Sequence, residues 1–102
     1  MLSMEKPILL SKEDIREKLK TLPGWEYADD KIRKEFKFAD FADSLDFINK
    51  MAPFFEKMDH HPDTHIFYSK VLFELQRCDI GGKVADRDFE VASEIERVYG
   101  ER

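Results

Sequence analysis

The ten residues Ile32-Arg33-Lys34-Glu35-Phe36-Lys37-Phe38-Ala39-Asp40-Phe41 contain the change from a strand pattern to a helix pattern. Ile32, Phe36 and Phe38 share one parity and charged residues hold the other, which predicts a strand with one buried face, interrupted only at Lys34. Asp40 is a favourable N-cap residue. Apolar residues then recur at steps of four and three, so we expect a helix whose apolar stripe faces a sheet. The members of this stripe are Phe41, Leu45, Ile48, Ala52 and Phe55.

Two elements precede this run. Ser11-Lys12-Glu13-Asp14 has the form of a capping box and predicts the start of a first helix, which Pro23-Gly24 ends. A short strand is expected at Trp25 to Tyr27, and the turn Asp29-Asp30-Lys31 would join it to the next strand as a β-hairpin. We expect residues 1–10 to form an N-terminal arm and residues 11–102 to form a single domain.

Three elements follow the second helix. Residues 64–68 and 71–77 have strand patterns, and a last helix is expected to start at Ala85 or Asp86. Its buried side would consist of Phe89, Ala92, Ile95 and Tyr99. The order α-β-β-α-β-β-α predicts an α+β fold, in which a four-stranded antiparallel sheet carries the helices on one face.

The composition excludes several classes of protein. The net charge of −5 argues against binding to nucleic acid or to an anionic membrane. No apolar run approaches the roughly 20 residues that a membrane-spanning helix needs, and the N-terminus lacks the apolar core of a signal peptide. The single cysteine, Cys78, cannot form an internal disulfide. These features predict a cytoplasmic protein.

All three histidines of the chain lie within six consecutive residues, and carboxylates stand beside them. The histidines are His60, His61 and His65, and the acids are Glu56, Asp59 and Asp63. Imidazole exchanges protons near neutral pH, so the cluster indicates acid–base catalysis. Adjacent residues of an extended chain point to opposite sides, so His60 and His61 are not expected to share one role. If His60 is still helical, Glu56 would lie on the same face and orient its ring.

Other interpretations of the cluster stay open. His61, His65 and Cys78 are candidate zinc ligands, but the four-residue spacing of the two histidines suits a continuous helix, which Pro62 interrupts. The His-His-Pro sequence is also compatible with a polar helix end and a proline stop. Asp59 and Asp63 are compatible with ordinary solvated surface charges.

Several motifs together resemble the pterin-4a-carbinolamine dehydratase family, over residues from about Leu22 to Tyr99. They are Phe36-Lys37-Phe38-Ala39-Asp40-Phe41, Glu56-Lys57-Met58-Asp59-His60-His61-Pro62, Tyr68-Ser69-Lys70-Val71, Asp79-Ile80-Gly81-Gly82 and Asp88. The resemblance implies the same helix and strand order. It also implies dehydration of a 4a-hydroxytetrahydropterin to the quinonoid dihydropterin, which recycles the cofactor of aromatic amino acid hydroxylases. The expected ligand is the pterin substrate alone, without metal or cofactor.

The resemblance assigns roles to individual residues. It implies that His60, His61 and Glu56 are catalytic. The implied substrate-binding residues are Asp59, Pro62, Thr64, His65, Cys78 and Asp88. Three of these depart from the family pattern: Cys78 stands where a third histidine or a tryptophan is usual, and Thr64 and His65 stand where aromatic residues are common.

The departures leave two functions open. The first is a working dehydratase, which retention of His60, His61, Glu56 and Asp88 favours. The second is a catalytically weak or inactive relative that serves as a binding module or assembly factor, which Cys78 and Thr64 favour. The resemblance extends to two such relatives, a dimerisation partner of a transcription factor in animals and dehydratase-like assembly chaperones of a carbon-fixing enzyme in some bacteria. A third possibility is action on another pterin, such as one linked to molybdenum-cofactor metabolism.

The resemblance also bears on partners. It implies a homodimer or a homotetramer, and a protein partner is possible. Leu72 and Val91 are expected to be exposed apolar residues that fit a subunit interface.

Overall fold

The computed structural model describes residues 9–76 and 83–102. The elements are α1 (Lys12–Leu19), β1 (Glu26–Ala28), β2 (Lys31–Lys37), α2 (Phe41–Met58), β3 (Asp63–Phe67), β4 (Lys70–Leu75) and α3 (Asp86–Gly100). The predicted order α-β-β-α-β-β-α is confirmed. Cys78, the end of the predicted last strand and most of the predicted N-terminal arm lie outside the described residues. Within the described ranges, no helix is long and apolar enough to cross a membrane.

The four strands form one antiparallel sheet in the order β1-β2-β4-β3. The β1–β2 hairpin turns through Asp29 and Asp30, both with positive φ (53° and 61°), as a turn matched to the strand twist requires. β2 and β4 occupy the centre, and β3 is an edge strand with one strand neighbour in the described sheet. The confirmed fold class is therefore α+β.

The helices cover the face of the sheet that carries Ile32, Phe36, Val71 and Phe73, which are all at most 1% exposed. The ring of Phe36 lies at the centre of this core and contacts Tyr99 edge-on, with ring centroids 4.9 Å apart. The parity predicted for β2 is thus confirmed.

Lys34 shares that buried parity, and its surroundings explain how a charge is accommodated there. Its ammonium lies 4.9 Å from the centroid of the Phe36 ring and donates a hydrogen bond of 2.7 Å to Glu96. Trp25 Nε1 donates to the same carboxylate at 3.2 Å. The interruption of the strand pattern is therefore one end of a polar network at the border of the core.

The apolar stripe predicted to face the sheet from α2 is wrong in its rotation about the helix axis. The buried residues are instead Ser44, Phe47, Met51, Phe55 and Met58. Phe41 is 47% exposed and Leu45 is 36% exposed. The Ser44 hydroxyl donates to the carbonyls of Asp40 (3.1 Å) and Tyr68 (3.2 Å), which turns this small side chain toward the β3–β4 turn. The predicted stripe therefore lies largely on the outside of α2.

Two smaller predictions have different outcomes. Asp40 caps α2 as expected, since its carboxylate accepts the Asp43 N–H at 2.8 Å. The prediction that Val91 is exposed is wrong, because α3 buries a face broad enough to include Val91, which is fully buried. Leu72 is only half-buried, on the sheet face opposite the helices.

Candidate active site

The end of α2 separates the two adjacent histidines. Asp59 follows the helix in the left-handed region (φ 51°, ψ 44°), and its N–H donates to the carbonyl of Glu56 at 3.1 Å. The N–H of His60 donates to the carbonyl of Phe55 at 3.1 Å. These two bonds form a Schellman motif, which reverses the chain at the helix C-terminus. As predicted from the alternation of an extended chain, the two rings enter different environments.

His60 enters the interior. Its residue is 6% exposed, and Nε2 forms a hydrogen bond with Oδ1 of Asp88, which is fully buried. The other oxygen of Asp88, Oδ2, accepts the N–H of Ala85 at 2.8 Å. Arg87 Nη1 donates to the carbonyl of Met58 at 3.3 Å. This bond and the His60–Asp88 bond both connect the start of α3 to the end of α2.

His61 remains at the surface. Its side chain is 53% exposed, and Nε2 lies 3.3 Å from Oε1 of Glu56, which is 76% exposed. The expectation that Glu56 orients His60 is therefore wrong. The left-handed turn at Asp59 carries His60 away from α2, and the ring that meets Glu56 belongs to His61.

His65 lies away from both of these rings. In the β3–β4 pairing it stands opposite Leu72, whereas Thr64 stands opposite the buried Phe73, so His65 points to the face without helices. Its Nε2 is hydrogen-bonded to Oε1 of Glu74 at 2.9 Å.

Glu74 is the centre of a charged cluster on that outer face. Lys31 Nζ and Arg33 Nη1 lie 3.7 Å and 3.6 Å from its carboxylate. Burial alone raises the pKa of Glu74, but the hydrogen bond from His65 and the charges of the two cations bring the pKa below its ordinary value. Sequence analysis did not identify Glu74, although strand alternation combined with the correct register would have placed it beside Arg33.

The remaining predicted residues have simpler positions. Pro62 is buried, and its carbonyl accepts the Thr64 hydroxyl at 3.2 Å. Asp59 and Asp63 are exposed. Cys78 lies outside the described residues. The structure thus brings together His61 with Glu56, His60 with Asp88, and Pro62 with Thr64.

Metal ligation was the competing interpretation of the histidines. In the described part of the chain, no group of three or more His, Cys, Asp or Glu side chains is arranged to hold a metal ion. His61 and His65 bind different carboxylates, on α2 and on the outer face of the sheet. Cavities of about 250 to 280 Å³ lie elsewhere, lined by residues of the helices and by Thr21, Leu22, Tyr27 and Arg102.

Comparisons with known proteins identify the family to which the chain belongs. The model of the family "Pterin 4 alpha carbinolamine dehydratase" matches residues 8–98. A protein of Sulfolobus acidocaldarius, provisionally named pterin-4-alpha-carbinolamine dehydratase, is 38% identical over 89 residues, covering 87% of this chain and 97% of the relative. A Prochlorococcus marinus protein of the same provisional name is 38% identical over 94 residues, covering 92% of this chain and 97% of the relative.

A solved structure is also similar. The crystal structure of a transcriptional coactivator/pterin dehydratase from Brucella melitensis superposes with a TM-score of 0.82 and 30% identity, covering 88% of this chain and 97% of that one. The resemblance inferred from the motifs is confirmed, and the chain belongs to the pterin 4 alpha carbinolamine dehydratase family.

Proposed function

We propose that the protein dehydrates a 4a-hydroxytetrahydropterin to the quinonoid dihydropterin by histidine acid–base catalysis. The observation that carries this proposal is the pair of adjacent imidazoles, each bound to its own carboxylate: His61 to Glu56 and His60 to Asp88. Family membership supports the class of reaction.

The chemistry requires two proton transfers. The bond between the ring carbon and its hydroxyl oxygen breaks, the oxygen takes up a proton and leaves as water, and the adjacent ring nitrogen loses its proton as the carbon–nitrogen double bond forms. We assign donation to the leaving oxygen to His61, because its ring is accessible and its Nε2 lies 3.3 Å from the Glu56 carboxylate, which orients it. His60, whose Nε2 is bound to Asp88, accepts the second proton through Nδ1.

The remaining residues complete the proposed site. Asp59 and Thr64 are exposed, and the buried Pro62 directly follows the two histidines and accepts the Thr64 hydroxyl at its carbonyl. We place Cys78 at the same site by family resemblance. We leave His65 out of the site, because it points to the outer face of the sheet and binds Glu74.

Turnover of a 4a-hydroxytetrahydropterin by wild type, His61→Gln and His65→Gln tests this assignment. His61→Gln should lower kcat on the order of 10²-fold or more, the usual contribution of one acid–base group. His65→Gln is the matched control, because it removes a comparably exposed imidazole (45% against 53%) from the outer face of the sheet, and it should leave turnover unchanged. Wild-type turnover at the uncatalysed rate, or equal losses in both variants, would refute the proposal.

A second candidate function, protein binding, is favoured by one exposed apolar surface, which we call the edge surface. All five residues of the edge strand β3 are exposed. The edge surface consists of Phe41, Leu45, Ile66, Phe67 and Tyr68, which are between 36% and 71% exposed. The hydrogen bond from Ser44 to the Tyr68 carbonyl holds the start of α2 beside the end of β3, so the two parts are adjacent. Patches of this kind mark interaction sites.

We propose that a second copy of this chain covers the edge surface, with β3 pairing antiparallel to the β3 of its neighbour. Such a contact is self-complementary under two-fold symmetry. It would satisfy the free backbone edge of β3 and bury apolar side chains of α2 in the same step. The resulting homodimer, or a tetramer built from it, fits the assembly that the family resemblance implies.

Sedimentation analysis of wild type, Ile66→Lys and Glu35→Lys tests the assembly. A lysine on an edge strand opposes pairing, so Ile66→Lys should sediment as a smaller species than wild type. Glu35→Lys places the same charge on the central strand β2 and should not change the size. A monomeric wild type would refute self-association. If wild type assembles but does not turn over the pterin, protein binding becomes the favoured function.

A further inference from the structure

We propose that Asp88 is a positioning residue that sets the tautomer of His60, with the proton on Nε2 and Nδ1 left as the proton acceptor. The tautomer follows from the hydrogen bonds that an ionised Asp88 carboxylate makes with a neutral imidazole. The role of Nδ1 as the proton acceptor in catalysis rests on the proposed dehydration. The tautomer and its catalytic role can be tested separately.

The first step concerns the orientation of the Asp88 carboxylate. The N–H of Ala85 can only donate, and it binds Oδ2 at 2.8 Å. Ala85 is the N-cap residue of α3, and the amides at a helix start lack partners within the helix. The Asp88 carboxylate supplies the missing acceptor for the Ala85 N–H. Oδ2 is therefore held by the backbone, and Oδ1 is the oxygen that faces the imidazole.

The second step concerns the proton. An ionised carboxylate only accepts hydrogen bonds, so Nε2 of His60 must carry the hydrogen that it shares with Oδ1. A neutral imidazole carries one proton, which leaves Nδ1 as an acceptor. The same relation between a carboxylate and the far nitrogen of an imidazole orients catalytic and metal-binding histidines in other proteins.

The third step concerns rigidity. The His60 backbone is held by the Schellman motif, and Arg87 fastens the Met58 carbonyl to α3. The imidazole is 7% exposed and the Asp88 side chain 0% exposed, so water has little access to compete for their bond. Because Asp88 is fully buried and both oxygens are engaged, it acts on the reaction through His60 and does not contact the substrate.

Asp88→Asn is the discriminating substitution. The Ala85 N–H still requires an acceptor, so the amide oxygen takes the place of Oδ2 and the amide NH₂ faces Nε2. Nε2 must then accept, and the single proton of the ring moves to Nδ1. The substitution keeps the shape of the side chain and both hydrogen bonds but reverses the tautomer.

Imidazole nitrogen NMR shifts of histidine-labelled protein, recorded slightly above neutral pH, provide the test. The His60 signals are identified by their loss in His60→Gln. Wild type should show a protonated Nε2 and an unprotonated Nδ1, and Asp88→Asn should show the reverse. Glu74→Gln is the matched control, since it changes the carboxylate that binds His65 and should leave the His60 signals and the turnover unchanged.

Turnover measurements test the catalytic part. Asp88→Asn should lower kcat on the order of 10²-fold or more with little change in KM, because the acceptor nitrogen is lost while the substrate contacts remain. A protonated Nδ1 or a doubly protonated ring in wild type would overturn the tautomer assignment, whether or not Asp88→Asn folds. A reversed tautomer with wild-type kcat would overturn the catalytic use of Nδ1. A wild type that shows the expected tautomer but no turnover would refute the proposed function and leave the tautomer assignment standing.

Discussion

Replacing Lys34 by Met and Glu96 by Gln, singly and together, measures the contribution of the ion pair at the border of the core. Lys34 Nζ donates to both carboxylate oxygens of Glu96, at 2.7 Å and 3.1 Å, and to the carbonyl of Pro23 at 3.0 Å. Gln at position 96 still accepts the Trp25 N–H, and Met at position 34 still packs on Phe36, so the double-mutant cycle isolates the charge-assisted bonds.

The expected coupling follows from the exposure of the two side chains, 21% for Lys34 and 26% for Glu96. Fully exposed pairs contribute about 0.2 to 1 kcal/mol, and hydrogen bonds to charged groups contribute about 1.5 to 3 kcal/mol. Because this pair is mostly but not completely shielded, we expect a coupling free energy of about 1 kcal/mol. Each single variant should lower Tm by about 4 to 8 °C for each kcal/mol lost, the scale for a domain of this size.

The assay is urea unfolding of the four proteins at one protein concentration, with the free energy of unfolding extrapolated to water. Glu90→Gln, an exposed acid on the same helix, serves as the control and should change the free energy by less than about 0.5 kcal/mol. Additive effects of Lys34→Met and Glu96→Gln, with a coupling near zero, would refute the argument that Lys34 holds its buried-parity position through Glu96.

The remaining predictions concern the site, the sheet and α2. Cys78→His should raise kcat by about tenfold or more by restoring an acid–base group, whereas Cys78→Ser should not, and equal turnover in the two variants would contradict the proposed role of position 78. Because its pKa is lowered in the folded state, Glu74 stabilises the fold above its unfolded pKa, and this contribution is lost as the pH falls through the folded value; Glu74→Gln should be less stable than wild type at neutral pH and equally stable in acid, measured by urea unfolding. Ser44→Ala should lower the free energy of unfolding by about 1 kcal/mol because the Tyr68 carbonyl loses its donor, while the exposed Ser93→Ala should be close to neutral in the same measurement.

The strand and helix order was predictable because local signals were strong. Ile32, Phe36 and Phe38 share a parity in the sequence and are buried in the structure, and Asp40 is a good N-cap and does cap α2. Such signals depend on residues within a few positions of one another, and sequence analysis reads them directly.

The rotation of α2 was not predictable from its own residues. Two stripes fit the helical period, and they share only Phe55. The stripe that packs on the sheet includes Ser44, whose burial is favourable only because the Tyr68 carbonyl is within reach of its hydroxyl. That contact joins residues 24 positions apart.

In the site, too, features set by neighbouring residues were predictable, and contacts between residues far apart in the sequence were not. The divergence of His60 and His61 follows from chain alternation, and the resemblance indicated Asp88. The pairing of Asp88 with His60 and of Glu56 with His61 was not predictable in this way. Asp59 takes a left-handed conformation that a non-glycine residue seldom adopts, and Asp88 reaches His60 from 28 positions away.

The left-handed residue Asp59 has a consequence for how chemical roles are distributed along this chain. The two histidines that follow it are chemically identical, and the left-handed turn before them helps to direct the ring of His60 into the interior while the ring of His61 stays at the surface. Among related chains, function should therefore depend on whether the residue before the His-His pair accepts this conformation, as asparagine or glycine would, and a β-branched residue there should abolish activity even where every histidine and carboxylate is retained.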